Sequence, residues 1–250
     1  MKRQDWEEVA DQFKRRANFP MCLGAIDGKH IRVQNFPHAG SVHFNYKKFY
    51  SIVLLAIADA NYKFVYVDIG AYGKDCDSSI LQSTDFWKRL TLGELDIPQS
   101  KGLPPKGIKV PYVFIGDSAF AIHEHILKEF SNNNMSVKQR VFNYRLHRAR
   151  RYVECAFGIL SNKWRIFHRP LNVSKKFSKN IVKACVVLHN IVRSRDVGGQ
   201  DDEIIVPGSQ FRNLIRNTKQ TGKTGKGVRT IFANYFVSDE GKLPWQLSKI

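Results

Sequence analysis

Apolar positions fall into blocks of two periods along the chain. Trp6, Val9, Ala10 and Phe13 recur at helical spacing, which predicts a helix over residues 5–16. After Pro20 the period changes. Residues 22–34 read as an extended segment. Residues 49–58 are almost continuously apolar, as in a strand covered on both faces, and residues 63–69 make a third strand. The short turn at 59–62 implies that the last two strands pair antiparallel. Residues 78–90 read as a helix. A Gly- and Pro-rich loop follows at 98–111, then a short fourth strand at 112–117 that ends in an acid. Phe120, Ile122, Ile126, Leu127 and Phe130 return to helical spacing. A long helix is expected over about 136–168, with Val153, Ala156, Phe157, Leu160, Trp164 and Phe167 as its apolar stripe. A last strong helix is expected over 177–193, with Phe177, Ile181, Ala184, Cys185, Leu188, Ile191 and Val192 on its buried face.

This order of elements predicts an α/β fold, a mixed sheet with helices on it. Three regions are expected: a helical lead-in at 1–20, the core at 21–195 and an irregular, partly flexible C-terminal tail at 196–250. Stretches 198–203 and 218–227 of that tail are linker-like. The longest apolar run, Ile52–Ala58, is far short of the ~20 residues that span a bilayer. The N-terminus is charged and has no apolar signal core. Four cysteines at 22, 76, 155 and 185 form no Cys-x-x-Cys pair, which argues against a zinc finger and fits a reducing compartment.

Charge narrows the function. Lys and Arg number 40 against 22 Asp and Glu, a formal net charge of +18. An excess of this size points to a polyanion, nucleic acid before a membrane surface. The cations are concentrated. Between Phe130 and Arg195 lie fifteen Lys and Arg, and Glu154 is the sole acid. A lone carboxylate on a phosphate-binding surface repels the ligand unless it holds a cation of its own, which a shared divalent metal would supply. At 100° per residue His147, Arg150, Arg151, Glu154, Ser161 and Arg165 form one stripe. Gly158 lies on it too and would admit a close backbone or ligand. Asp27 lies within the first strand and Asp117 ends the fourth. Taken singly, Asp27-Gly28 also reads as a turn dipeptide, Asp117 as an N-cap and Glu154 as a solvated helix residue.

Together these pieces resemble the PIF/Harbinger family of DNA transposases, whose nuclease domain has an RNase H-like fold. The resemblance rests on Gly24-Ala-Ile-Asp27-Gly-Lys-His30-Ile, on the segment from Asn45 to Asp59, on Gly116-Asp117-Ser-Ala-Phe120, on Glu154-Cys-Ala-Phe-Gly158 with Trp164-Arg165, and on Leu188-His-Asn190. These occur in the family's order and cover residues 5–195. The resemblance implies that Asp27, Asp117 and Glu154 hold the catalytic metal ions. A further family acid falls on Asp77, with Asp75 as its competitor. RNase H-like sheets also carry a fifth strand after the second Asp, and the stretch around Met135-Ser-Val137 is its candidate here.

The function expected is therefore metal-dependent phosphoryl transfer on DNA, an endonuclease of the DDE transposase type. Three carboxylates would bind two Mg²⁺ or Mn²⁺ ions, since oxygen ligands suit these metals. Arg150, Arg151, Arg165, Lys163, Lys175 and Lys176 are the candidate DNA contacts. The alternative is a transposase-derived DNA-binding protein that no longer cuts. With 26 residues before Asp27, target recognition is expected from a separate DNA-binding partner. The chain could also form a homo-oligomer, and a nuclear location is expected. His30, His147 and His189 are read as structural residues rather than metal ligands.

Overall fold

A computed structural model describes residues 1–104, 107–195 and 223–250. The linker-like stretch at 198–203 lies outside the described residues.

Five strands form one mixed sheet. They are β1 (Cys22–Arg32), β2 (Ser51–Ala58), β3 (Phe64–Tyr72), β4 (Val113–Ile115) and β5 (Ile126–Leu127), in the spatial order β3-β2-β1-β4-β5. The pairs β1–β2 and β2–β3 are antiparallel, while β1–β4 and β4–β5 are parallel. The strand β2 is buried along its whole length, which is why its sequence is apolar without alternation. Asp59 forms the β2–β3 turn: its Oδ1 accepts the amides of Asn61 and Lys63, each at 2.8 Å.

The helices are α1 (Arg3–Ala17), α2 (Asp77–Ser83), α3 (Asp85–Thr91), α4 (Val137–Lys163), α5 (Lys175–Arg195) and α6 (Lys223–Tyr235). The expected helix at 78–90 is two helices, broken at Thr84. Its extended backbone closes α2, and its hydroxyl accepts the Trp87 amide to start α3. The expected helix at 120–130 is absent. Ile126 and Leu127 are instead the two residues of β5. The fifth strand thus lies earlier than Met135-Ser-Val137, where Ser136 caps α4. Short apolar runs do not distinguish a two-residue buried strand from a helical turn. Trp164 ends α4, so Arg165 lies in a separate 3₁₀ turn over Arg165–His168 and the helical stripe of Glu154 does not extend to it.

In α5 the buried face is rotated from the expected one. Ser178, Val182, Cys185, Val186 and His189 face inward, while Phe177, Leu188 and Ile191 are exposed. Polar contacts set this rotation. His189 Nε2 bonds the Tyr62 carbonyl at 2.7 Å, and the Asn190 amide takes both the N–H and the C=O of Phe64. His189 is buried and Asn190 half-buried, and their bonds to the β2–β3 turn and to β3 hold this face inward, because a buried polar group left unpaired is costly.

The last five residues of the linker-like stretch at 218–227 begin α6. This helix brings Phe232 and Phe236 against Phe19 and Phe142. Below them lies Arg145, 3% exposed. Its guanidinium donates to the carbonyls of Asn18 and Gly241 and to Gln246 Oε1, and stacks on Phe236. One of the fifteen cations in the basic segment is therefore a core residue that joins α1, α4 and the C-terminal segment.

Candidate active site

The parallel pairing of β1 and β4 puts two acids side by side. Ala25 lies opposite Ile115, and two residues further on each chain carries an aspartate, Asp27 and Asp117. At that point β4 has ended while β1 continues to Arg32, so both carboxyls stand where the β1 edge is free of β4. Asp27 Oδ1 accepts the Gly28 amide and Asp117 Oδ1 the Ala119 amide, both at 2.9 Å. Gly116 allows this turn because a β-carbon there would lie 2.6 Å from the buried Phe120 ring.

Asp77, the first residue of α2, supplies a third carboxyl. A β-carbon on Gly28 would lie 2.1 Å from Asp77 Oδ1, so Asp77 rests directly on the backbone next to Asp27. This close approach explains why glycine follows Asp27, beyond any turn preference. Asp75 does not share the place: its carboxylate accepts the Tyr72 amide at 3.0 Å and closes the loop before α2.

The acids act on one another. Burial pushes the Asp27 carboxyl up to about 8; Arg150 opposes the rise, and Asp117 and Asp77 add to it. Burial pushes Asp77 up to about 6, with Asp117 repelling it and Lys47 opposing. The folded chain thus retains protons that the unfolded chain releases near pH 4. Each such group stabilises the fold below about pH 4, and that contribution is lost as pH rises through the folded values of about 6 and 8. In EDTA, wild-type melting temperature should fall more steeply between pH 6 and 8.5 than that of Asp27→Asn. Parallel curves for the two proteins would show that Asp27 is not held neutral.

Glu154 lies on α4, which packs on β1, β2 and β4. Its carboxylate is paired with Arg150, one turn earlier, at 3.1 Å. Arg150 is only 11% exposed, and its Nε is buried without a partner. The same guanidinium acts on Asp27. Arg150 therefore pairs with Glu154 and also acts as a counter-charge to Asp27. Among the described residues, no three Asp, Glu, His or Cys side chains are oriented to share one ion.

The other candidate residues divide by exposure. Arg151, Lys163, Arg165 and Lys176 are exposed, while Lys175 lies over the Tyr72 ring at 4.3 Å. Space beside Gly158 is open, with no atom within 4 Å of a β-carbon placed there. His147 pairs with Glu129 at 3.0 Å and His30 with the Ser51 hydroxyl at 2.9 Å. The sequence places Arg150 on the stripe of Glu154 as a candidate DNA contact, whereas the structure pairs it with Glu154 itself. Lys47, twenty residues from Asp27, is brought into range of Asp77 only by the fold.

A mixed sheet whose central parallel strands deliver two aspartates, crossed by a helix bearing a glutamate, defines the RNase H-like nuclease class. The chain belongs to the DDE superfamily endonuclease family, whose sequence profile matches residues 26–190. It is 27% identical over 227 residues to "Protein ALP1-like" of Arabidopsis thaliana, covering 89% of this chain and 55% of that protein. It is 24% identical over 197 residues to "Putative nuclease HARBI1" of Rattus norvegicus, covering 74% of this chain and 50% of that one. The chain thus spans about half the length of these curated relatives. No solved structure matches it. Among the described residues no helix is long and apolar enough to cross a membrane.

Proposed function

We propose that this protein is a metal-dependent DNA endonuclease of the transposase type, with Asp27, Asp117 and Glu154 holding the metal ions. The observation that carries the reading is the crowding of Asp27, Asp77 and Asp117 at the end of β4, with Arg150 as the one cation that lowers the Asp27 carboxyl. Burial first, and then neighbouring carboxylates, raise Asp27 and Asp77, so this cluster is short of positive charge, which a divalent cation supplies. The donors are all carboxylate oxygens, which fit Mg²⁺ or Mn²⁺. Two such ions, when bound, provide Lewis acidity for water activation and for the leaving oxygen of a phosphodiester.

The chain's own groups do the rest. Asp27 and Asp117 are fixed by backbone amides, so they are oriented before a ligand arrives. Arg150 holds the Glu154 carboxylate in an ion pair on α4. The exposed Arg151 and Arg165 lie along the approach from α4 and hold the DNA backbone, a contact that carries no base sequence. Each phosphate so neutralised contributes roughly −0.9 to the slope of log K against log salt. Replacing Arg151 and Arg165 together by Ala should flatten that slope by about 2. A binding titration at several salt concentrations checks it, and an unchanged slope would place the DNA elsewhere.

The function itself is tested by nicking of supercoiled plasmid in Mn²⁺ against EDTA. A second reading, a DNA-binding protein without cleavage, is favoured by the pairing of Glu154 with Arg150 and by the absence of a ready three-ligand cluster among the described residues. Salt-sensitive binding with no nicking in either buffer would establish it.

A further inference from the structure

The loop between β1 and β2 is built with more care than a connection needs. His43, Asn45 and Ser51 are 1%, 3% and 0% exposed, and all three are polar. Asn45 Oδ1 accepts the amides of Lys47 and Phe49, and its Nδ2 donates to the Ser51 hydroxyl. That hydroxyl also meets His30 Nδ1 at 2.9 Å, while His43 Nδ1 bonds the Ser51 carbonyl. Buried polar groups joined in one network hold a single backbone conformation. Lys48 adopts φ of 62° at the tip, a conformation retained only where its surroundings enforce it.

This rigid frame presents side chains that the core does not use. Tyr46 is 66% exposed and Phe44 42% exposed. The Tyr46 ring stands 5.6 Å from the His30 ring, three residues along β1 from Asp27. Lys47 and Lys48 follow it and are exposed, with the Lys47 ammonium 5.5 Å from the Tyr46 ring centre on one face of the ring. On the far side, Arg32, Phe44, Lys48 and Tyr50 border an open groove of about 360 Å³. From Asp27 to Arg32 the strand covers about 17 Å, the length of about five stacked nucleotides. Aromatic faces alternating with cations along a groove are the chemistry that holds single-stranded nucleic acid, bases on the rings and phosphates on the cations.

We propose that the loop over residues 43–51 and the outer half of β1 form a track for an unpaired DNA strand beside the acidic site. Tyr46 stacks on a base there, and Lys47, Lys48 and Arg32 face the phosphates. This deepens the nuclease reading and rests on it for the choice of DNA as ligand. A paired base keeps its faces inside the helical stack, so an exposed ring on a rigid loop engages only a base that has left it. The substrate class is then DNA already opened next to the cleavage point, such as a fork or a frayed end, in preference to intact duplex.

The test uses the full chain in EDTA, so that binding is read without cleavage. Anisotropy titrations compare a labelled forked duplex with a fully paired duplex of the same sequence. Tyr46→Ala should weaken fork binding about tenfold, leave paired-duplex binding within about twofold, and Tyr46→Phe should behave as wild type. Tyr46 is surface-exposed, and an unchanged melting temperature in Tyr46→Ala excludes misfolding. Equal weakening for both DNAs, or no weakening, would overturn the track. The nuclease reading fails separately: a protein that binds forks through Tyr46 but never nicks in Mn²⁺ keeps the track and loses the enzyme. A Mn²⁺-dependent nuclease whose fork binding ignores Tyr46 does the reverse.

Discussion

On the proposed reading, Asp27→Asn and Asp117→Asn should each lose more than about a hundredfold of Mn²⁺-dependent nicking, because loss of even an outer partner of a metal ligand costs 10–100-fold and that reading makes these two the ligands themselves. The amides keep the size and shape of the carboxyls, so the strand ends stay in place. The two variants should differ in metal-free stability. Asp27 is the acid held highest, pushed to about 8 by burial, with Asp117 and Asp77 adding to it. Removing its charge relieves repulsion in the folded state, so metal-free Asp27→Asn should melt above wild type at pH 8.5. Each kcal/mol gained raises the melting temperature by about 2–4 °C for a chain of this size. Nicking and calorimetry on the same preparations check both halves. Wild-type nicking in both variants would remove the β1–β4 carboxyls from the chemistry, whatever the stability result.

Arg145→Ala should cost the fold about 3–5 kcal/mol, since each buried acceptor left unsatisfied costs about 1–3 kcal/mol and a cavity adds to it. The guanidinium satisfies the carbonyls of Asn18 and Gly241 and the amide oxygen of Gln246, and it fills the space over Phe236. Alanine leaves these acceptors buried without donors and opens a cavity. The loss corresponds to a melting temperature lower by about 6–20 °C. Chemical denaturation of Arg145→Ala against Arg148→Ala, whose side chain lies on the Trp245 ring nearer the surface, separates burial from charge. Equal small losses in both would show that Arg145 is not a core residue. DNA affinity normalised to folded protein should be unchanged in Arg145→Ala.

Much of the sheet was legible because its strands report their own surroundings. A fully buried strand needs no polar alternation, and β2 shows none. The helix α1 was legible from four apolar residues, all of which are buried. Legibility failed where a contact distant in sequence decides the local outcome. The rotation of α5 depends on the Tyr62 carbonyl and the Phe64 backbone, more than a hundred residues upstream. The short β5 depends on lying beside β4, since two residues carry no period of their own. The pairing of Asp27 with Asp117 follows from strand order and register, while the place of Asp27 within one strand and of Asp117 after another was visible in sequence. The hold of Arg150 on Glu154 was hidden, because a helical stripe gives direction and not partner. Asp77 was located by its place before a helix, but its contact with Gly28 required the fold.

Asn190 has a consequence for how two copies of the protein could meet edge to edge. An edge strand with free amides and carbonyls invites pairing with another chain, and crowding on a polyanion raises the local concentration at which that occurs. β3 is the long edge of this sheet, and the Asn190 amide occupies both main-chain groups of Phe64 at the point where the strand begins. The opposite edge, β5, is two residues long and too short to support a ladder. One edge is therefore stopped by brevity, and on the other a side-chain amide closes the first residue, so that a second chain could pair with β3 only beyond Phe64.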